Sequence, residues 1–388
     1  MNFEKFKNII LPNENYISYE DFVENTSLNK TWELISLKKD IRFEKFKTKK
    51  VFLDFYYKNF IEDSSKFLEV FYDQRIHYDL DSVNFDLGTK LLEVRNGKIL
   101  NRPKLTRYLR SVMIEPMLKC KNRYGIGLKD IIQDIFYKGK FIDSFTVPSV
   151  VKDFNVKDFI TPESLIITLR TKAGFPSVYS PLVYKSLLLY MKRHGNYERL
   201  LCPTASWGTP VIAANDIGLK ELSIVDVQCD VLSLCYNIHK DITDKNSIFV
   251  DDYVLNTHCI SSEYMSQRME LNSYDMIFFC PPYFDLEEYD VDDPEQSTEK
   301  YKSYETWLNG YWKLTVEESH KLLKSDSVFS FTINDYADDK WLLDDMVKIA
   351  QTNFEYVEKI QIQSLDKNAE DINKNPRSEY CVVMKKRG

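Results

Sequence analysis

Over roughly residues 160 to 388 the sequence predicts an α/β fold: a mostly parallel sheet with helices on both faces. Three observations carry this. Apolar runs of strand length recur, each ending at a turn, an acid or a cysteine, with helix-like stretches between them. A turn of small residues over 202–209 joins one such strand to an apolar helix start. The next strand ends in Asp226, about 20 residues on, the offset at which an acid meets a cofactor ribose in dinucleotide folds.

The elements follow in order. Phe175-Pro176-Ser177-Val178-Tyr179-Ser180-Pro181 leads into a helix-like stretch from Leu182 to Met191. Leu200-Leu201 closes a strand that runs into Cys202-Pro203-Thr204-Ala205-Ser206-Trp207-Gly208-Thr209. Small residues here let backbone approach a ligand, and the helix that follows presents amide groups favouring an anion. Leu222 to Asp226 is a strand ending in an acid, and Ser247 to Val250 is another, ending in Asp251-Asp252. Met276-Ile277-Phe278-Phe279 is a buried strand, followed by Cys280-Pro281-Pro282-Tyr283. Two prolines stiffen that turn and leave its carbonyls free to accept, while the adjoining aromatic can stack on a planar base. Tyr301 to Leu323 has helical periodicity, Val328 to Ile333 is a strand, and Ser378 to Met384 is the last strand. The strand ends Cys202, Asp226, Asp252 and Cys280 are expected on one edge of the sheet, where ligands of open α/β sheets bind. Taken singly, each segment also reads as an ordinary turn after a core strand.

In this order the segments resemble motifs X, I, II, III and IV of the S-adenosylmethionine-dependent amino-methyltransferases, the N6-adenine and N4-cytosine DNA methyltransferase family. Motif I of that family looks like Asp-Pro-Phe-Ala-Gly-Ser-Gly-Thr, and residues 202–209 align with it without a gap. Pro203, Ala205, Gly208 and Thr209 match, Cys202 replaces the acid and Ser206 replaces a glycine. Motif IV reads Asp, Asn or Ser, then Pro-Pro-aromatic, and here Cys280 stands first. The resemblance implies a Rossmann-like, seven-stranded class I methyltransferase sheet and S-adenosyl-L-methionine as cofactor. It implies cofactor contacts from Pro181, Cys202, Pro203, Thr204, Ala205, Ser206 and Gly208, ribose binding by Asp226 and adenine binding by Asp251 or Asp252. Cys280, Pro281, Pro282 and Tyr283 become the catalytic loop, acting on an exocyclic base amine, foremost N6 of adenine in DNA. Such enzymes take the base out of the helix. The departures at Cys202, Ser206 and Cys280 keep a second reading open: a silent methyltransferase fold serving as a binding or recognition subunit. A third reading, Cys280 as a covalent nucleophile, resembles the cytosine-C5 enzymes, but there a proline precedes the cysteine, and here it is Phe279.

The domains expected are 1–158, with no family pattern and a target-recognition or interaction role, and 159–388, the methyltransferase-like part. Val147 to Pro162 reads as the linker region. No room exists between Asp252 and Cys280 for a target-recognition domain. The formal net charge of −7 excludes a generally basic nucleic-acid binder. One local stretch, with Arg102, Lys104, Arg107, Arg110, Lys121 and Arg123 interleaved with Tyr108 and Tyr124, is the candidate for phosphate contacts; a solvated helical face is the blander reading. Asp285 to Glu299 is acidic and reads as a solvated loop, a flap or a protein-binding segment. Seven cysteines without a CxxC pair and five scattered histidines predict no metal site and reduced thiols. No leader or apolar membrane span is predicted, so the expected location is the cytoplasm, a host's if the chain is viral or phage-borne, as its Lys, Asn, Ile, Phe and Tyr usage allows.

Overall fold

The computed structural model describes residues 1–10, 18–25, 28–29, 32–33, 36, 46–58, 98–99, 103–138, 176–215, 217–246, 253–290, 292–334, 341–364 and 379–387. The chain divides into two compact units, residues 1–78 with 117–177, and residues 79–116 with 178–388. The boundary expected at 158/159 and the linker at 147–162 lie outside the described residues.

In the first unit the aromatic run Phe52 to Tyr57 becomes core. Helix Lys49–Tyr56 starts at Thr48, whose side chain accepts from the Val51 amide. It buries Phe52, Leu53 and Tyr56. The Phe52 ring lies 5.4 Å from Phe46, 5.5 Å from Trp32 and 4.6 Å from Tyr56, an aromatic cluster whose burial drives this helix to pack.

The second unit is the sheet. Its strands are β1 (Arg199–Cys202), β2 (Glu221–Asp226), β3 (Val254–Cys259), β4 (Tyr274–Phe279), β5 (Leu323–Ile333), β6 (Phe354–Ser364) and β7 (Glu379–Lys386). They lie in the order β3-β2-β1-β4-β5-β7-β6, and a two-residue strand, Lys98–Ile99, adds in parallel to the outer edge of β6. All neighbours are parallel except β7, which runs antiparallel to both β5 and β6. This is the Rossmann-like, seven-stranded, mostly parallel sheet that the sequence predicts.

Helices cover both faces because alternate strand residues are apolar on each side. Phe278 meets Tyr184 of helix α2 (Pro181–Met191) with ring centroids 4.3 Å apart. Its neighbour Phe279 meets Trp312 on the opposite face at 6.1 Å. There Trp312, fully buried, donates from Nε1 to the Met346 carbonyl and packs edge-on to Phe331. On the α2 face lie α3 (Thr209–Ala213) and α4 (Cys229–Asn246). One helix from far upstream, α1 (Pro103–Val112), belongs to this unit and buries Leu105, Tyr108 and Leu109.

The stretch after β4 returns through Leu308–Trp312, where Gly310 permits a close approach. A Cβ there would stand 2.1 Å from Tyr301 Cε1. Gly310→Ala is therefore expected to push the Tyr301 ring aside and cost about 1–3 kcal/mol, the usual range for overpacking. Chemical denaturation checks this, and unchanged stability would show the ring moves freely.

Candidate cofactor and catalytic site

The carboxyl edge of the sheet collects the ends of β1, β2, β3 and β4, and the start of antiparallel β7. After β1 the backbone turns through three left-handed residues, Ser206 (φ 45°), Trp207 (φ 56°) and Gly208 (φ 78°). Two of these are not glycine, a strained arrangement that costs roughly 1–2 kcal/mol per residue. Gly208 is needed for packing: a Cβ would meet Ile238 Cδ1 at 2.9 Å and Met113 Cε at 3.0 Å. The helix that follows, α3, has only five residues. Its dipole is correspondingly short, so an anion here relies on the amides of the turn. Pro203 and Ala205 are buried in that turn, while Thr204 and Ser206 are half-buried, their hydroxyl oxygens 3.2 Å apart. Thr209 Oγ1 donates to the Tyr179 carbonyl, tying the segment before α2, whose first residue is the buried Pro181, to the turn.

Asp226 sits where the spacing puts it. One carboxylate oxygen accepts from the Ala205 amide at 2.9 Å, the other from the Gln228 amide at 3.0 Å. Burial pushes its pKa up against the lowering pull of these amides. The carboxylate keeps acceptor capacity for a ligand. Cys202 faces away. It is fully buried, its Sγ 3.3 Å from the Tyr184 hydroxyl, which itself donates to the Phe278 carbonyl. Burial pushes its thiol up to about 12, so Cys202 packs beneath the site as a neutral side chain.

The third strand corrects the sequence reading. The strand beside β2 is Val254–Cys259, pairing from Val254↔Glu221 to Cys259↔Asp226. Asp251 and Asp252, outside the described residues, precede it in sequence instead of following it. The apolar run Ile248-Phe249-Val250 drew the prediction, whereas β3 is a half-exposed edge strand of mixed polarity that carries no such signal. At its carboxyl end stands Cys259, disulfide-bonded to Cys229 at the start of α4, with Cα atoms 5.3 Å apart. Reduced thiols throughout, as expected from the absence of CxxC, is thereby corrected, because spatial pairing does not require short spacing.

The loop that the resemblance casts as catalytic, Cys280 to Tyr283, follows β4. Pro281 is buried; Cys280, Pro282 and Tyr283 are half-buried. Thr204 Oγ1 donates to the Cys280 carbonyl at 3.0 Å, joining the loop after β1 to this one. Among the described residues the Pro281 carbonyl has the Cys280 sulfur, 4.0 Å away, as a weak donor. Cys280 Sγ also lies 3.8 Å from the Tyr283 hydroxyl. Phe284, left-handed at φ 48°, turns the chain inward against Tyr304 and Trp307. Burial, with the charge of Glu379 second, pushes the Cys280 thiol up to about 12. A nucleophilic cysteine needs its thiolate, and this environment argues against the covalent reading.

Glu379, the first residue of β7, joins this site with Tyr179 and Thr332, and no motif in the sequence marks the three as site residues. The only sequence signal was an acid opening the last strand. Burial raises the Glu379 carboxyl to about 7, with Tyr179 pulling the other way.

The acidic stretch is not a bare solvated loop. Lys300 Nζ lies 3.6 Å from buried Glu263 and 2.8 Å from Glu295. Asp290 and Gln296 are buried, and Gln228 Nε2 reaches the Tyr289 carbonyl at 3.5 Å. The Tyr289 ring stands edge-on to Trp207, centroids 5.8 Å apart.

The described residues of the basic stretch divide between the two units. Arg102 and the side chains of Lys104 and Arg107 lie outside the described residues. Tyr108 is core, Arg110 is half-buried, and Lys121 and Arg123 belong to the other unit, where Arg123 stacks on exposed Tyr124. Among the described residues no group of three or more His, Cys, Asp or Glu could hold a metal, and no helix is long and apolar enough to cross a membrane.

No family model and no curated protein matches the chain. Solved structures similar to it include the N-methyltransferase NodS from Bradyrhizobium japonicum WM9, at 12% identity and TM-score 0.35, covering 53% of this chain and 96% of that one; NodS is also known in complex with S-adenosyl-L-homocysteine. The [4+2]-cyclase SpnF matches at 10% identity and TM-score 0.37, over 54% of this chain and 83% of its own. A TehB-like SAM-dependent methyltransferase from Corynebacterium glutamicum matches at 8% identity and TM-score 0.30, over 53% and 98%. At these values the similarity bears on neither substrate nor activity.

Proposed function

We propose that the chain is an S-adenosylmethionine-dependent N-methyltransferase acting on an exocyclic amine of a nucleic-acid base, foremost N6 of adenine in DNA. The observation that carries this reading is the Cys280–Tyr283 loop at the carboxyl end of β4, bonded through Thr204 to the turn after β1. Cofactor contacts would come from the turn 203–208 and from Asp226, whose carboxylate keeps acceptor capacity for ribose hydroxyls. The bound cofactor supplies an electrophilic methyl group on a sulfonium.

The residues of the loop act on the amine. Its lone pair is conjugated with the ring, and acceptors on its protons draw the nitrogen toward an attacking geometry. The Pro281 carbonyl can supply one acceptor, and Tyr283 a ring face beside it. The neutral Cys280 thiol accepts weakly. Positioning then lowers the barrier by removing translational freedom. The basic residues Arg102, Lys104, Arg107, Arg110, Lys121 and Arg123 are proposed phosphate contacts, and residues 1–158 a target-recognition or interaction domain.

The second reading, a silent fold serving as a binding subunit, is favoured by the Trp207–Tyr289 contact beside the turn. Titration calorimetry with S-adenosylmethionine, followed by mass analysis of nucleosides from treated DNA and RNA, separates the two. Failure to bind the cofactor would leave only the silent fold.

Cys280→Asn is expected to raise methyl transfer about tenfold by restoring one hydrogen bond of about 1–1.5 kcal/mol. Cys280→Asp should gain less above pH 7, because a second carboxylate near Glu379 is repelled and pushed toward its neutral form. Cys280→Ala should change little. Radioactive methyl transfer to mixed DNA and RNA measures all three, and complete loss in Cys280→Ala would overturn this account of the loop.

A further inference from the structure

We propose that Glu379 is the proton acceptor of this active site, its carboxylate taking the proton released by the substrate amine; this rests on the amino-methyltransferase reading above. The topology brings it there. β7 is antiparallel to its neighbours, so its first residue reaches the edge at which β1, β2 and β4 end. Cys381 pairs directly with Thr332 of β5. Glu379, two residues before Cys381, shares its face of the sheet, and that face meets the catalytic loop: the Cys280 thiol senses both the Thr332 hydroxyl and the Glu379 charge.

Two features mark this cluster. The hydroxyls of Tyr179 and Thr332 are buried beside it, Tyr179 facing Glu379 and Thr332 facing Cys280. Glu379 itself is half-buried, and among the described residues no cation neutralises it, a costly arrangement that active sites retain for use.

The groups facing Glu379 are Tyr179, Cys280, Tyr283 and Cys381. Burial raises all four, Cys280 and Cys381 to about 12 and the tyrosines well above their usual range, so they stay neutral near pH 7. Glu379, at about 7, is the member of this cluster that titrates there.

In the step, the amine lone pair forms the new N–C bond. The C–S bond breaks and its electron pair stays on sulfur. The proton left on nitrogen passes to the Glu379 carboxylate and then to solvent. Because the acceptor must be ionised, transfer rises with pH through about 7 to a plateau.

The test uses the full chain, S-adenosylmethionine and heat-denatured mixed genomic DNA. Glu379→Gln is expected to lower single-turnover transfer about 10²-fold or more, to abolish the pH step and to leave the calorimetric affinity for S-adenosylmethionine within about twofold. Glu379→Asp should recover part of the rate. In the cofactor-free protein, ¹³C-carboxyl NMR should show a glutamate titrating near pH 7 that Glu379→Gln lacks. Parental rate and pH profile in a Glu379→Gln protein that binds the cofactor would overturn the role of Glu379 alone. So would a Glu379 carboxyl titrating in the ordinary glutamate range. A parent that transfers no methyl group refutes the amino-methyltransferase reading, and this inference falls with it.

Discussion

Asp226→Ala is expected to weaken S-adenosylmethionine binding about 10²-fold and to destabilise the cofactor-free protein by about 2–4 kcal/mol. The affinity loss follows from removing hydrogen bonds from a charged acceptor to the ribose, worth about 1.5–3 kcal/mol. The stability loss is a consequence of the fold. Spacing alone casts Asp226 as a ligand group whose removal leaves the empty protein unchanged. In the structure it also accepts from the amides of Ala205 and Gln228. Alanine orphans both, at about 1–3 kcal/mol each, and frees a turn already strained at Ser206 and Trp207. Asp226→Asn should fall between, since its amide group can keep one of the two acceptors. Calorimetry with S-adenosylmethionine and urea unfolding without it measure the two effects. Weakened binding at unchanged stability would mean that the amides find water. Lost stability at unchanged binding would remove Asp226 from the ribose site.

Cys229→Ser is expected to cost about 3–4 kcal/mol of stability in non-reducing buffer, the chain-entropy value for a closed loop of this length. The bond joins residues 30 apart in sequence, and it ties the start of α4 to the end of β3, two residues whose neighbours flank Asp226. For a unit of this size the loss corresponds to a fall in Tm of roughly 10 °C. The parent treated with dithiothreitol should melt with the variant, because reduction and substitution remove the same constraint. Identical melting of oxidised parent and variant would show that the pair adds nothing. In a reducing compartment the two thiols would be separate and this increment absent, so the measurement also reads how far the carboxyl edge depends on redox conditions.

Five of the seven strands were legible in the sequence: β1, β2, β4 and β5 are core strands with apolar runs, and β7 is marked by Tyr380 to Met384. β6, Phe354–Ser364, had no prediction of its own: Glu355, Tyr356, Val357, Glu358 and Lys359 alternate without a clear apolar face, as an edge strand permits. β3 was misplaced for the same reason, since Val254 to Cys259 is half-exposed and mixed.

By itself the sequence determined the strand-to-turn grammar: the small-residue turn at 202–209, the acid at 226 and the Pro-Pro loop at 280–283 are local patterns, set by glycine, proline and apolar periodicity over a few residues. Only the tertiary structure decided what meets what. Cys202 proved to point into the core at Tyr184, which one end of a strand cannot disclose. Thr204 crosses to the Cys280 carbonyl over 76 residues, and Cys229 meets Cys259 across a strand crossover. Glu379 reaches Cys280 because β7 inserts antiparallel between β5 and β6. These contacts depend on strand order and direction, which follow from packing both faces of the sheet, and no short window of sequence carries that information.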